Sequence, residues 1–364
     1  MINWYLIYAY ALGLSFAISL LLTWVVRKVA VKLDFLDHPG ERKLQTEPVP
    51  LMGGVAIVTT FYLVIMGHLL LLEPVRRLGF DWLEDNVLFF LGENVVRKLI
   101  GLTAGGLLVF VLGVVDDRRA LRPEIKLIFQ IVAALILVLS GIHLQVFIDN
   151  DWVAAVVTVV WVVGMMNAMN FLDNMDGLCA GISVIAAFSL FLTVMPRQET
   201  FNCVLLMVFA GSVAGFLFHN LHPARIFMGD AGSMFCGYVL ATAPLLATFY
   251  VASTPSRVAV AAPLLALSVP IFDTTSVIII RWRRGESIMK GDKRHFSHRL
   301  VQLGMTNRQA VEFIYLVAAV SGLGAVLLPQ VSARGTVIIF AQAVGVYMLI
   351  VLLMNTGKNR GESE

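Results

Sequence analysis

The sequence predicts an all-α, polytopic integral membrane protein. Three observations carry that prediction. Of 364 residues, 59% are hydrophobic and only 14% are charged, where a soluble globular chain runs nearer ~45–50% and ~25%. Mean hydropathy is +0.84. The apolar residues also gather into about eleven stretches of the ~20-residue length that a spanning helix needs.

In chain order the stretches run near 4–26, 51–72, 98–115, 127–146, 152–170, 177–196, 201–219, 232–252, 258–280, 310–329 and 335–354. The first is not expected to be a cleaved signal peptide. No basic residue precedes it, and Arg27, Lys28 and Lys32 follow it. With eleven crossings, 20 of the 27 Lys and Arg residues fall on one side. These include Arg118, Arg119, Arg122, Lys126 and the basic residues of 281–308. By the positive-inside rule that side is cytoplasmic, which puts the N-terminus outside and the C-terminus in the cytoplasm. Residues 73–97 mix Phe80, Trp82 and Phe89 with charges and read as an amphipathic piece on the outer interface. There are no repeats and no separate soluble domain. Residues 1–364 form one membrane domain with cytoplasmic loops at 27–50, 116–126, 171–176, 220–231 and 281–309. The net charge of +3 does not suggest nucleic-acid binding, and three scattered cysteines without a CxxC pattern suggest packing.

The clustered polar residues fall at cytoplasmic helix ends. Asp116 and Asp117 close the third stretch. Asn167, Asn170, Asp173 and Asp176 close the fifth, on nearly one face if the helix continues that far. Asp230 opens the eighth in Phe227-Met228-Gly229-Asp230-Ala231-Gly232. Asp273 lies inside the ninth, and His295 and His298 lie in the basic loop after it. Acids at helix ends are often merely solvated, and Asp230 suits a helix N-cap. Yet ionisable residues at membrane depth are costly and by default functional. Adjacent carboxylates without matching cations call for a hard divalent ion, magnesium or manganese, held with waters and a substrate phosphate. Gly53 and Gly54 fit two readings equally: backbone amides offered to phosphate, or close helix packing. His295 and His298, beside Arg294 and Arg299, fit a phosphate clamp better than a zinc site. The rival class is a secondary transporter, which places acids near the midplane on broken helices. Only Asp273 approaches that position, so the rim clusters favour phosphate chemistry at the membrane surface.

These motifs, from Pro48-Val49-Pro50-Leu51-Met52-Gly53-Gly54 to His295-Phe296-Ser297-His298, resemble those of the polyprenyl-phosphate N-acetylhexosamine-1-phosphate transferases, glycosyltransferase family 4. The resemblance implies transfer of a sugar 1-phosphate from a UDP-sugar to undecaprenyl phosphate, with release of UMP, at a bacterial cytoplasmic membrane. It implies catalytic roles for Asp116, Asp117 and Lys126, and magnesium ligation by Asp230 with Asp117 and Asp176. Lys43, Asn167, Asn170, Asp173, Phe227, His295, His298 and Arg299 then bind the nucleotide sugar, with Phe227 stacking on uracil. A homodimer is compatible with this reading. Two positions depart from the family pattern: Ala120 stands where a third acid is common, and Ser297 where a further histidine is common. Arg42-Lys43, Pro48-Val49-Pro50 and Arg294-His295-Phe296-Ser297-His298-Arg299-Leu300 look like the UDP-GlcNAc branch that starts common antigen, O antigen and teichoic-acid linkage units. The alternative branch is the phospho-MurNAc-pentapeptide translocase. It usually carries three consecutive histidines, which this chain lacks.

Overall fold

The computed structural model describes residues 4–38, 47–77, 93–144, 150–197, 199–247, 261–286 and 294–361. Lys43, most of the 73–97 segment and part of the 281–308 loop lie outside them. Among the described residues there are thirteen α-helices: α1 (Trp4–Lys32), α2 (Gly53–Arg77), α3 (Glu93–Arg118), α4 (Pro123–Leu139), α5 (Asp151–Leu172), α6 (Leu178–Val194), α7 (Thr200–Asn220), α8 (Gly229–Leu246), α9 (Ala262–Ala266), α10 (Ser268–Arg283), α11 (Phe296–Gln302), α12 (Asn307–Leu327) and α13 (Ala333–Gly361). Each predicted stretch is helical over most of its length. Among the described residues, eight helices are long and apolar enough to cross a membrane. The protein is therefore a helical, multi-pass membrane protein.

The helices differ from the expectation where proline or a cap intervenes. The 258–280 stretch is two helices, α9 and α10, divided at Leu267. Pro263 and Pro270 each sit in a first turn, where a missing N–H costs least. Instead of stopping at residue 115, α3 runs through both acids to Arg118. Conversely, α5 ends at Leu172 with Asp173 as its C-cap, so the four polar residues do not share one continuous helical face. A short antiparallel pair, β1 (Leu36–Asp37) with β2 (Val49–Pro50), joins α1 to α2. Its second strand is Val49 flanked by prolines that favour extended backbone.

The core is organised around α8, whose residues from Ala231 to Pro244 are all buried. It is enclosed by α2, α3 and α5. Small residues make the approach close enough for backbones to touch. A Cβ on Gly54 would lie 2.2 Å from the Gly232 nitrogen, and one on Gly113 would lie 2.3 Å from the Ala231 Cα. One on Gly237 would come within 2.6 Å of the Met165 carbonyl oxygen. Membrane helices lack a hydrophobic drive toward each other, so such small-residue packing supplies the attraction. It also decides between the two readings of Gly53 and Gly54. Their amides donate to the Phe227 and Met228 carbonyls at 2.9 and 2.8 Å, so packing is their role.

Gly54→Leu is therefore expected to push α2 off α8. The cost should reach at least the ~1–3 kcal/mol of ordinary overpacking, because the clash is with backbone. The check is the thermal midpoint in detergent, and an unchanged midpoint would mean the helices accommodate the side chain.

Candidate active site

The ends of α3, α4, α5 and α8 meet at one end of the bundle. Asp117, in the last turn of α3, accepts from the backbone N–H of Asp230 at 2.7 Å and of Ala231 at 3.1 Å. It thus caps α8 from across the helix interface, where the helix dipole favours a carboxylate. Asp230 sits in the first turn and is not the cap, because Met228 holds that position. Gly229, at φ +73°, makes the turn, and a Cβ there would lie 2.6 Å from an Asp117 carboxylate oxygen.

Lys126, in the first turn of α4, bridges two of these acids. Its Nζ donates to Asp116 Oδ2 at 2.7 Å and to Asp230 Oδ2 at 3.1 Å. The second Asp116 oxygen accepts from the Leu121 N–H at 2.7 Å. Asn170, near the end of α5, donates to Asp230 Oδ1 at 2.9 Å and to Ser233 at 3.0 Å. Asp116, Asp117, Lys126, Asn170 and Asp230 are thus brought together.

Beside them opens a cavity of about 660 Å³. Asp117, Asp173, Asp176, Phe227, Asp230 and His298 all line it. Asp173 receives a hydrogen bond from the Gly229 backbone, yet burial, with Asp230, Asp117 and Asp176 nearby, pushes its carboxyl up to about 8. Asp176 accepts from His222 Nδ1 at 2.8 Å and from the Ala224 N–H at 3.1 Å. Phe227 is held in place by β2: its N–H donates to the Pro50 carbonyl at 2.8 Å, and it pairs in parallel with Leu51.

The histidine segment forms α11. Asp273 is fully buried in α10, with one oxygen accepting the Phe296 N–H at 2.6 Å and the other facing His295 Nδ1 at 2.8 Å. The acid that suggested a transporter is thus an anchor for α11. Ser297, also buried, donates to Asn174 Oδ1 at 2.6 Å and ties α11 to the turn after α5. His298 reaches the cavity wall, while Arg299 does not line it. Asn167 does not line it either. Its amide donates to Gln130 and to the Val163 carbonyl, both at 2.8 Å.

Sequence reasoning missed several cavity residues: Asp37, Glu47, Asn174, Asn220, His222 and Arg308. Asp37 and Glu47 read as ordinary loop charges. Asn220 links two site loops, accepting the Gly177 N–H at 3.0 Å and donating to the Ile226 carbonyl at 2.9 Å. Its signal was visible only as a polar residue ending an apolar run.

Such an arrangement belongs to a class of membrane enzyme that works on phosphate at the bilayer surface, with acids in excess over the lysine that braces them. Comparison with known proteins narrows this. Residues 99–248 match Glycosyl transferase family 4. A probable undecaprenyl-phosphate N-acetylglucosaminyl 1-phosphate transferase of Bacillus subtilis (strain 168) is 31% identical over 326 residues, covering 86% of this chain and 84% of its own. A decaprenyl-phosphate N-acetylglucosaminephosphotransferase of Mycolicibacterium smegmatis is 32% identical over 370 residues, covering 94% and 87%. An undecaprenyl-phosphate alpha-N-acetylglucosaminyl 1-phosphate transferase of Yersinia pestis is 26% identical over 317 residues, covering 84% and 80%. The chain belongs to glycosyl transferase family 4, within the polyprenyl-phosphate hexosamine-1-phosphate transferase superfamily, and is an enzyme of that class.

Two outcomes follow from this geometry. Asp273→Ala should leave the Phe296 N–H unpaired, a cost of about 1–3 kcal/mol, and free α11. Hydrogen exchange should then rise across 296–302 and stay unchanged in α8. Protection equal to wild type in α11 would show that Asp273 does not hold it.

The second outcome concerns Asp173. Its folded pKa lies above the ordinary carboxylate range, so its stabilising contribution is present at low pH and is lost as pH climbs through about 8. In EDTA, the thermal midpoint should fall as pH rises from the ordinary carboxylate range to about 8 and level off above it, and Asp173→Asn should flatten that fall. Equal slopes for both proteins would remove Asp173 as the cause.

Proposed function

We propose that the enzyme transfers GlcNAc 1-phosphate from UDP-GlcNAc to undecaprenyl phosphate, releasing UMP, as the first step of a cell-envelope polysaccharide at the bacterial cytoplasmic membrane. The observation that carries the reading is the convergence of Asp116, Lys126 and Asp230 beside a carboxylate-lined cavity that also contains Phe227. The activities for which the relatives are named point the same way: each name joins a polyprenyl phosphate to an N-acetylglucosamine phosphate group. The site faces the cytoplasm in this proposal, in line with the excess of Lys and Arg on its side.

A lipid phosphate oxygen attacks the β-phosphorus of the nucleotide sugar, and the bond to the UMP oxygen breaks. The protein has little covalent work to do, so positioning and charge neutralisation supply most of the rate. Lys126 offers positive charge where the two phosphates meet. Asp116, fixed by Lys126 and the Leu121 N–H, handles the proton of the acceptor phosphate. Phe227 presents a ring for uracil, and His298 lines the wall for the sugar phosphate.

The donor set fits magnesium. Among the described residues no three His, Cys, Asp or Glu side chains stand in ligating geometry. Magnesium does not require such a cage, because it keeps waters and takes one or two carboxylates with substrate phosphates. Asp230, Asp117 and Asp176 supply hard oxygens with lone pairs left over from their present hydrogen bonds. The carboxyl of Asp173, raised by burial and by the acids around it, adds a fourth carboxyl group to the same wall. When bound, the ion would neutralise the diphosphate.

UMP release should require both UDP-GlcNAc and undecaprenyl phosphate, and the lipid product should carry the mass of a single N-acetylhexosamine diphosphate. Asp116→Asn should fold and lose at least ~10²-fold in turnover. Near-normal turnover in that variant would take Asp116 out of the mechanism. Product formed from another UDP-sugar alone would replace the sugar assignment.

A further inference from the structure

One helical turn beneath the site lies a second polar tier. Gln130 is 1% exposed and sits four residues after Lys126 on α4. Its Oε1 accepts from Asn167 at 2.8 Å, and its Nε2 donates to the Met234 sulfur at 3.3 Å. Asn167 is three residues before Asn170 on α5, and Met234 is four residues after Asp230 on α8. The upper tier, Lys126 with Asp230 and Asn170, joins α4, α5 and α8. The lower tier joins the same three helices one turn deeper.

We propose that Gln130 is a positioning residue, fixing the register of α4 so that the Lys126 ammonium meets Asp230 beside Asn170. Lys126 is a long, flexible side chain with three rotatable donors, and only a fixed helix beneath it makes its contacts reproducible. A buried methionine would fill the same space without a polar group to satisfy. Polar ties between membrane helices contribute little to stability on average, so what the amide adds is direction. Each end of Gln130 meets a different helix, and a slide or rotation of α4 breaks both contacts. The inference rests on Lys126 and Asp230 belonging to the active site.

The test pairs Gln130→Met with Asn167→Leu, which removes the same tie from the neighbouring helix. Both are expected to keep the wild-type thermal midpoint within a few degrees. Turnover should fall about tenfold or more, with KM for UDP-GlcNAc little changed, since small misplacements of reacting groups are costly. Added to Lys126→Ala, Gln130→Met should cause no further loss. A second readout needs no substrate: Lys126, released from its carboxylates, should be acylated several-fold faster by an amine-reactive ester, read by peptide mass spectrometry. If wild type fails to use UDP-GlcNAc, the substrate assignment falls while the acylation result still decides on Gln130. The proposal is overturned if both variants show wild-type turnover and Lys126 reactivity. It is equally overturned if the Gln130 loss multiplies with that of Lys126→Ala, or if the variants lose only stability.

Discussion

The site depends on how closely α8 approaches its neighbours. At Gly54–Gly232, Gly113–Ala231 and Gly237–Met165 the backbones stand where a single Cβ would collide. That approach brings the first turn of α8 under the last turn of α3, so the Asp117 carboxylate can take two N–H groups that α8 leaves unpaired. It also brings Asp230 within reach of Lys126 and Asn170. Wider helix spacing would leave an acid in the membrane rim without a partner and a helix end without a cap, both expensive in a low-dielectric surrounding. Packing and chemistry are therefore joined at the same few residues.

The same closeness has an electrostatic cost. Asp116, Asp117, Asp173 and Asp230 crowd a small region, and Lys126 is the cation that bridges two of them. Asp117 is stabilised by backbone donors and Asp230 by lysine and an amide. Asp173 has only the Gly229 backbone N–H, and burial, with the charge of its neighbours, raises its carboxyl. In the proposed function, a divalent ion bound with substrate phosphates would relieve that crowding.

Much of this was legible in the sequence because membrane helices announce themselves by length and apolarity, and because ionisable residues are rare enough there to stand out. Asp116, Asp117 and Asp230 stand out that way, Asn170 by its spacing and Lys126 only through the family resemblance, and in the structure these residues lie together. Long-range pairings were not legible. Nothing local tells that Asp117 caps a helix more than a hundred residues onward, or that Asp273 holds His295. Asn167 was read with Asn170 from its spacing, yet the rotation of α5 turns it to Gln130. His222 and Asn220 were passed over because a lone polar residue after an apolar run usually marks only a helix end. The break at Leu267 was hidden by uniform apolarity, although Pro263 and Pro270 stood at the places where two helices could begin.

The two departures from the family pattern acquire different meanings in three dimensions. Ala120 lies exposed in the turn between α3 and α4, where the chain instead presents the Leu121 N–H to Asp116. A missing acid there costs Asp116 nothing that backbone does not supply. Ser297 is buried and bonded to Asn174, so its hydroxyl fastens α11 to the turn that carries Asp173 and Asp176. The cavity is thus assembled from two parts held in different ways. One is the glycine-packed meeting of α3, α5 and α8, where a changed residue collides with backbone. The other is a seven-residue helix fixed by Asp273 and Ser297. Substitutions facing the cavity from α11 disturb no helix interface of the first part. A changed side chain is therefore physically cheaper on that wall than on the opposite one, which stays bound to the packing.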